Sequence, residues 1–261
     1  MDAEREELLS LSRGIRAQAA RRAFHGRAKQ VSAPRAAPRA APAEPARTQQ
    51  EVRAQAAACQ DLGSLAAAVS RCEACALSKT RTQTVFMDGV RTGPSKSGLL
   101  FVGEAPGADE DRQGVPFVGR SGQLLTEIIT KGIGIPREDV HIANVLKCRP
   151  PDNRDPTAAE KEACTPWLER QIELASPRVL VPLGKHAANY LLGLPPETPM
   201  GRTRGRVHVK DGRTLIPTYH PAYLLRSPGE KKACWQDIQV AMGVLGIEPP
   251  SRNPADREPR S

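Results

Sequence analysis

Short apolar runs alternate with longer helical stretches along most of this chain, and this alternation constrains the fold more than any other feature. Four runs have the composition of buried strands, at 99–102, 140–143, 179–183 and 214–218. Periodicity predicts helices at 61–70, 121–132, 157–174, 184–192 and 230–245. Thr157 and Glu160 have the spacing of a capping box at the start of the third helix. The alternation predicts an α/β fold: a single three-layer domain whose central, mainly parallel four-stranded sheet is flanked by helices.

The two ends of the chain differ from this central part. Residues 1–50 open with a helix expected at 4–24 and continue with a stretch rich in Ala, Pro and Arg. They carry ten basic side chains against five acidic ones, and they have little apolar surface to bury. We therefore expect 1–50 to be a mostly disordered extension, either a DNA tether or a solvated tail. The predicted domain is 51–248, and 249–261 is a polar tail.

Charge and hydropathy restrict the partners and the compartment. The net charge of +9 and the pI near 9.5 favour a polyanionic partner. No stretch approaches the roughly 18 apolar residues of a membrane span. The acidic start of the chain, at Asp2, Glu4, Glu6 and Glu7, does not resemble a secretory signal. We therefore expect a cytoplasmic protein with no membrane partner, in a reducing compartment.

Four of the six cysteines have the spacing of metal ligands. Cys72 and Cys75 form a C-x-x-C pair, and Cys148 and Cys164 follow 72 and 15 intervening residues later. Two thiolates from one turn and two more from elsewhere complete a four-sulfur shell. This spacing fits zinc and an iron–sulfur centre equally well, and unligated buried cysteines are the bland alternative. Cys59 and Cys234 have no near partner in the sequence and are expected to be free.

Polar or glycine-bearing segments follow each predicted strand. They are Gly103-Glu104, Asn144, Gly184-Lys185 and Tyr219-His220. Because the carboxyl ends of parallel strands meet at one edge of the sheet, we expect the functional site there. Neither G-x-G-x-x-G nor G-x-x-x-x-G-K occurs in the loop after the first strand, so no organic cofactor is expected.

Four segments around these strand ends carry a specific resemblance. They read G-E-A-P-G-x-x-E-D-x-x-G-x-P-F-V-G-x-x-G-x-L-L at 103–125, N-x-x-K-C-R-P-P at 144–151, L-G-x-x-A-A at 183–188 and H-P-A-x-L-L-R at 220–226. Together with the cysteine pattern they resemble the family 4 uracil-DNA glycosylases, the iron–sulfur branch of the uracil-DNA glycosylase superfamily. The similarity extends from about residue 72 to about residue 245.

The resemblance implies an enzyme of base excision repair. Such an enzyme flips uracil out of DNA and hydrolyses its N-glycosidic bond, which leaves an abasic site. The implied partner is uracil-containing DNA, single- or double-stranded, and the implied protein is a monomer of the prokaryotic cytoplasm that associates with the nucleoid through DNA. In this family the four matching cysteines hold a structural [4Fe–4S] cluster, which favours iron–sulfur over zinc.

The resemblance also implies roles for single residues. Glu104 would position the water and favour the cationic sugar, and His220 would hydrogen-bond the departing uracil. Asn144 would read the Watson–Crick edge, and Phe117 would stack on the ring. The remaining implied residues are the backbone at Ala105 and Pro106 against uracil, Glu110 as pocket support, and Arg120, Lys185, Leu224, Leu225 and Arg226 as DNA contacts.

Two other functions stay open on the sequence. A non-catalytic iron–sulfur nucleic-acid-binding protein of the same fold would keep the cysteines and the basic charge, although the intact set of Glu104, Asn144 and His220 favours the enzyme. A zinc-binding or electron-transfer protein would keep the cysteine spacing alone. The colour of the protein and its activity on uracil-containing DNA separate these possibilities.

Overall fold

The computed structural model describes residues 47–89 and 93–250. The expected helix at 4–24, most of the extension at 1–50 and nearly all of the polar tail lie outside these residues. The boundary predicted at residue 50 falls inside the first helix, which Thr48 caps with its side chain. The helices are α1 (Gln49–Ala57), α2 (Leu62–Ser70), α3 (Ala108–Gln113), α4 (Arg120–Glu127), α5 (Ala158–Ala175), α6 (Lys185–Leu192), α7 (Pro221–Arg226) and α8 (Lys231–Leu245).

Five strands form one sheet at the centre of the domain. They are β1 (Leu99–Gly103), β2 (His141–Asn144), β3 (Val179–Pro182), β4 (His208–Lys210) and β5 (Arg213–Leu215). Their order across the sheet is β2-β1-β3-β5-β4. β1 pairs in parallel with β2 and β3, β3 pairs in parallel with β5, and β4 alone runs antiparallel to its neighbour. The predicted α/β fold with a mainly parallel sheet is confirmed.

The sheet has one strand more than the four predicted. β4 is a three-residue edge strand joined to β5 by Asp211 and Gly212, whose φ angles are 50° and 72°. Two consecutive positive φ angles are typical of the tight turn that closes a β-hairpin. Because β4 lies at the sheet edge and Val209 is 74% exposed, it lacks the apolar run by which the other strands were predicted.

The two faces of the sheet carry separate hydrophobic layers. Leu100 and Val102 of β1 pack on one face with residues of α1, α2 and α5, whereas Leu99 and Phe101 pack on the other face with residues of α4 and α8. This alternation follows from the two-residue period of a strand. The predicted three-layer arrangement is therefore confirmed.

The local signals for the helices are also confirmed. Thr157 and Glu160 form the predicted capping box, and α5 begins directly after it. The helix predicted at 121–132 is α4 followed without a break by a π-helix at Ile128–Ile133. Within the described ranges, none of the helices combines the length and the apolarity that a membrane-spanning segment requires.

Candidate active site and cysteine cluster

A cavity of about 800 Å³ opens at the carboxyl edge of the sheet, where β1, β2 and β3 end. Its wall includes residues from the loops after all three strands and from α7. All of the predicted uracil-binding residues line this one cavity, together with the predicted support residue: Glu104, Ala105, Pro106, Glu110, Phe117, Asn144 and His220. The sequence motifs therefore converge in space as the parallel sheet requires.

Glu104 follows β1 directly and lies half-buried in the cavity wall. Its Oε1 atom is buried and accepts no hydrogen bond from any residue that the structure describes. The nearest basic atom recorded for it is Nδ1 of His186, at 3.5 Å. Burial raises the pKa of Glu104 to about 7, and the charge of Asp155 acts in the same direction, while Lys161 and Lys185 oppose the shift.

Asn144 is the last residue of β2 and is 2% exposed. Its side-chain Oδ1 is buried and finds no donor among the described residues. Gly103 of β1 is paired with Asn144, and a Cβ atom on Gly103 would lie 2.4 Å from this Oδ1 and 2.6 Å from Cζ of Phe117. Glycine at this strand end is therefore required so that the amide and the ring can both reach the cavity.

Phe117 lies in the loop between α3 and α4 with a φ angle of 55°. This left-handed conformation is unfavourable for a residue with a side chain, so the surrounding loop must hold it. Gly122 contributes to this, since a Cβ atom there would lie 1.9 Å from the Phe117 carbonyl oxygen. The Phe117 ring is tilted by 32° to the ring of His220, with centroids 5.5 Å apart.

The carboxylate of Glu110 holds the same loop from beneath. Oε2 accepts a hydrogen bond of 3.1 Å from the backbone N–H of Gly107, and Oε1 accepts bonds of 3.0 Å from those of Val118 and Gly119. Glu110 is 8% exposed, and these three donors satisfy its buried charge. It thereby ties the segment after Glu104 to the segment that carries Phe117.

His220 caps the start of α7. Its Nδ1 accepts a hydrogen bond of 3.0 Å from the backbone N–H of Ala222. Burial lowers the pKa of His220 to about 4, and the charges of Arg226 and His186 act in the same direction. The imidazole is therefore neutral at physiological pH, and its single proton lies on Nε2.

The four cysteines predicted as metal ligands line one small cavity, apart from the other two cysteines. Three N–H groups donate to their sulfur atoms: Nη1 of Arg81 to Cys148 at 3.2 Å, Nε1 of Trp167 to Cys72 at 3.3 Å, and the Lys147 amide to Cys164 at 3.3 Å. Donors aimed at sulfur stabilise ligated thiolates. The residues present therefore fit a centre with four sulfur ligands.

Burial also affects the protonation of these thiols. It raises the pKa of Cys148 to about 11 and also raises the pKa values of Cys75 and Cys164. Such thiols become thiolates only when a cation takes the place of the proton. Cys59 and Cys234 are buried elsewhere, where Cys59 donates to the Gln55 carbonyl oxygen and Cys234 accepts from the Thr218 hydroxyl.

The sequence is similar to known uracil-DNA glycosylases over most of its length. A model of the uracil DNA glycosylase superfamily matches residues 90–239. The chain is 40% identical over 196 residues to the type-4 uracil-DNA glycosylase of Saccharolobus solfataricus, which covers 72% of this chain and 88% of that protein. The corresponding enzyme of Archaeoglobus fulgidus is 41% identical over 74% of this chain and 97% of its own length, and that of Thermotoga maritima is 43% identical over 69% and 92%. The chain belongs to the type-4 uracil-DNA glycosylase family.

The family membership directs attention to the residues predicted to contact DNA. Lys185 and Arg226 line the mouth of the cavity, and Arg120 is exposed at the start of α4. Leu225 is 39% exposed, whereas Leu224 is 1% exposed and packs in the core layer beside α8. Of the two leucines, only Leu225 is available to a DNA molecule at the surface.

The sequence analysis did not identify several residues of this type-4 glycosylase cavity. His186 occupies one of the unspecified positions of L-G-x-x-A-A, and Asp155 lies in the loop before α5. Tyr219 and Tyr223 line the cavity mouth with ring centroids 5.0 Å apart, and the Arg204 guanidinium lies 4.8 Å above the Tyr219 ring. The step of two residues from Tyr219 to the helical Ala222-Tyr223 turn could have suggested the aromatic pair, but nothing in the sequence placed His186 beside Glu104.

Proposed function

We propose that this protein removes uracil from DNA by hydrolysing the N-glycosidic bond of deoxyuridine. The observation that carries the proposal is the convergence of Glu104, Phe117, Asn144 and His220 in one cavity with buried, unpartnered acceptor atoms. A target base is stacked inside duplex DNA, so the nucleotide must rotate out of the helix before it enters such a cavity. The names and the identity of the type-4 relatives support the same activity.

In this proposal Asn144 reads the Watson–Crick edge of the base. Its unpartnered Oδ1 would accept from uracil N3–H, and its amide N–H would donate to uracil O4. Cytosine presents an acceptor and a donor at those positions, so the amide would face two mismatched atoms. An unsatisfied buried polar group costs about 1–3 kcal/mol, which is enough to discriminate between the two bases.

Phe117 would hold the ring of the extruded base. Its ring lies at the cavity wall with its φ angle fixed by the loop that Glu110 and Gly122 stabilise. A planar base stacked on this ring would place its edge toward Asn144, since both side chains meet above Gly103. Ala105 and Pro106 would complete the wall through backbone contacts.

Charge separation in the transition state assigns the chemical roles. The sugar becomes cationic and the departing uracil becomes anionic as the bond breaks. The neutral imidazole of His220 would donate its Nε2 proton to a uracil carbonyl oxygen as negative charge develops there. Glu104 as a carboxylate would orient the attacking water and stabilise the cationic sugar. Removal of one such donor typically reduces the rate by about 10²–10³-fold.

The DNA strand would cross the mouth of the cavity. Lys185, Arg226 and Arg120 would contact phosphates, and Leu225 would enter the stack beside the vacated position. Single- and double-stranded DNA both satisfy these contacts. The basic extension at 1–50 would add non-specific affinity for DNA in a monomeric protein of the prokaryotic cytoplasm.

We further propose that the four clustered cysteines hold a [4Fe–4S] cluster. Cys72, Cys75, Cys148 and Cys164 would ligate it, and the N–H donors on their sulfur atoms support that assignment. The cluster would supply covalent cross-links between the segment after α2, the loop after β2 and helix α5, and no reaction step depends on it. Iron and acid-labile sulfide in the purified protein would agree with this proposal, and zinc without sulfide would contradict it.

Excision from a labelled oligonucleotide tests the proposed activity. The intact protein is incubated with a strand that contains one uracil, and alkali then cleaves any abasic site. Cleavage at the uracil position, with an otherwise identical thymine strand left intact, is the expected result. A protein that binds the strand but gives no product at stoichiometric concentration would instead be a non-catalytic nucleic-acid-binding protein.

A further inference from the structure

His186 lies against Glu104 in the cavity wall, at a motif position to which no role is attached. It is the second residue of α6, which begins directly after Gly184. Nδ1 of His186 lies 3.5 Å from Oε1 of Glu104, and Nε2 lies 4.0 Å from Oδ2 of Asp155. All three side chains line the cavity, and one polar atom of each lies within 4.8 Å of the others. An imidazole therefore separates the half-buried carboxyl group from an exposed one.

The proposed role of Glu104 requires a negative charge that its surroundings disfavour. Oε1 is buried and accepts no hydrogen bond within the described ranges. Burial and the charge of Asp155 raise the pKa of Glu104 toward neutrality, and Lys161 of α5 and Lys185 of α6 only partly offset this. Without further support, much of Glu104 would carry a proton at the pH of the cell.

His186 has the complementary problem. Burial and the charges of Lys161 and Lys185 lower the pKa of His186, while Asp155 favours its protonated form. His220 is neutral and so does not oppose a charge on His186. Each charge is unfavourable alone, but a carboxylate and an imidazolium in contact compensate each other. The two groups then titrate as a pair that keeps one proton over a wide pH range.

We propose that His186 is a positioning residue of the reaction: it carries the one proton that it shares with Glu104, and so holds Glu104 as an oriented carboxylate. This inference rests on the proposed function, in which ionised Glu104 orients the attacking water. His186 does not itself touch the base or the sugar in this account. Asp155, whose side chain is 83% exposed, supports the imidazolium from the solvent side.

The pH dependence of excision under single-turnover conditions tests this role. His186→Ala should shift the acidic limb of the rate profile upward by about one pH unit, because Glu104 then loses its compensating charge. His186→Asn should lie close to wild type, since an asparagine amide can donate from the position of Nδ1. His186→Gln carries its amide at the position of Nε2 and should behave like His186→Ala.

His208 provides a matched control on the other side of the sheet. It lies on β4, outside the cavity wall, with Nε2 2.9 Å from the Thr203 carbonyl oxygen. His208→Asn should leave the pH profile at the wild-type position. An acidic limb of His186→Ala that coincides with wild type, or a rate loss that is equal at every pH, would overturn the positioning role.

Two readouts separate this inference from the proposed function. If the wild-type protein gives no product at any pH, the proposed function fails. If wild type excises uracil but His186→Ala does so with an unchanged profile, only the positioning role fails. The carbon-13 resonance of the Glu104 carboxyl, assigned with Glu104→Gln, reports its ionisation without catalysis. It should titrate at higher pH in His186→Ala than in wild type, and identical titrations would contradict the proposal.

Discussion

Nδ1 of His220 accepts a hydrogen bond of 3.0 Å from the backbone N–H of Ala222. This bond fixes which nitrogen of the imidazole carries the proton. Nδ1 must present a lone pair to the amide, so the neutral ring is protonated at Nε2. The turn from the sheet edge into α7 thus converts a histidine into a neutral hydrogen-bond donor at the cavity wall.

The titration of His220 should reflect this arrangement. Burial lowers its pKa to about 4, which means that the ring is neutral at every pH above that value and becomes charged only below it. Nitrogen-15 NMR of the His220 ring should show the Nε2–H tautomer at neutral pH and no titration near the ordinary histidine value of about 6.5. A ring that gains its second proton near that ordinary value would contradict the buried, neutral state.

Asn144→Asp should weaken the preference for uracil over cytosine. A protonated or ionised carboxyl group can no longer offer the fixed acceptor and donor pair of the amide to N3–H and O4. We expect the ratio of the two excision rates to fall by about 10-fold or more, in line with roughly 1–3 kcal/mol for a mismatched buried polar group. Rates on uracil and cytosine strands in matched sequence measure this ratio, and an unchanged ratio would mean that the base is read elsewhere.

Gly103→Ala should damage the site while the fold remains. The added Cβ would lie 2.4 Å from Oδ1 of Asn144 and 2.6 Å from Cζ of Phe117, so both side chains must move. Overpacking of this kind costs about 1–3 kcal/mol, and the displaced groups are those proposed to hold the base. Gly243→Ala is the matched control, because no atom lies within 4 Å of its modelling position for Cβ in α8. Uracil excision and the melting temperature of both variants test the contrast, and equal activity would contradict it.

Cys148→Ser should remove the iron–sulfur cluster and lower the melting temperature. The variant lacks one of the four proposed ligands and leaves the Arg81 guanidinium without its sulfur acceptor. Cys59→Ser is the control, because Cys59 is buried beside α1 outside the cluster and a hydroxyl can keep the bond to Gln55. Iron content and thermal unfolding of both variants provide the measurement. Full iron content in Cys148→Ser would exclude this cysteine as a ligand.

The sequence was sufficient for features that depend on local pattern. Buried parallel strands are apolar along their whole length, so β1, β2 and β3 were predictable within about a residue. The polar residues after those strands, including Glu104 and Asn144, were expected at one edge because parallel strands share their direction. The capping box at Thr157 fixed the start of α5 for the same local reason.

Features that depend on tertiary packing were not predictable in this way. β4 is short and exposed, so only its pairing with β5 makes it a strand. Leu224 and Leu225 are adjacent and chemically identical, and only the packing of α7 determines that one is buried and the other exposed. His186 meets Glu104 because α6 starts beside the end of β1, a relationship that no spacing along the chain encodes.

The central claim is that the cavity formed by Glu104, Phe117, Asn144 and His220 cleaves uracil from DNA. The most direct measurement is the single-turnover release of free uracil from a uracil-containing strand, quantified together with the abasic product, for wild type and His220→Ala. We predict stoichiometric release by wild type and a rate about 10²–10³-fold lower for His220→Ala at similar DNA affinity. No uracil release by wild type, or equal rates for the two proteins, would contradict this account.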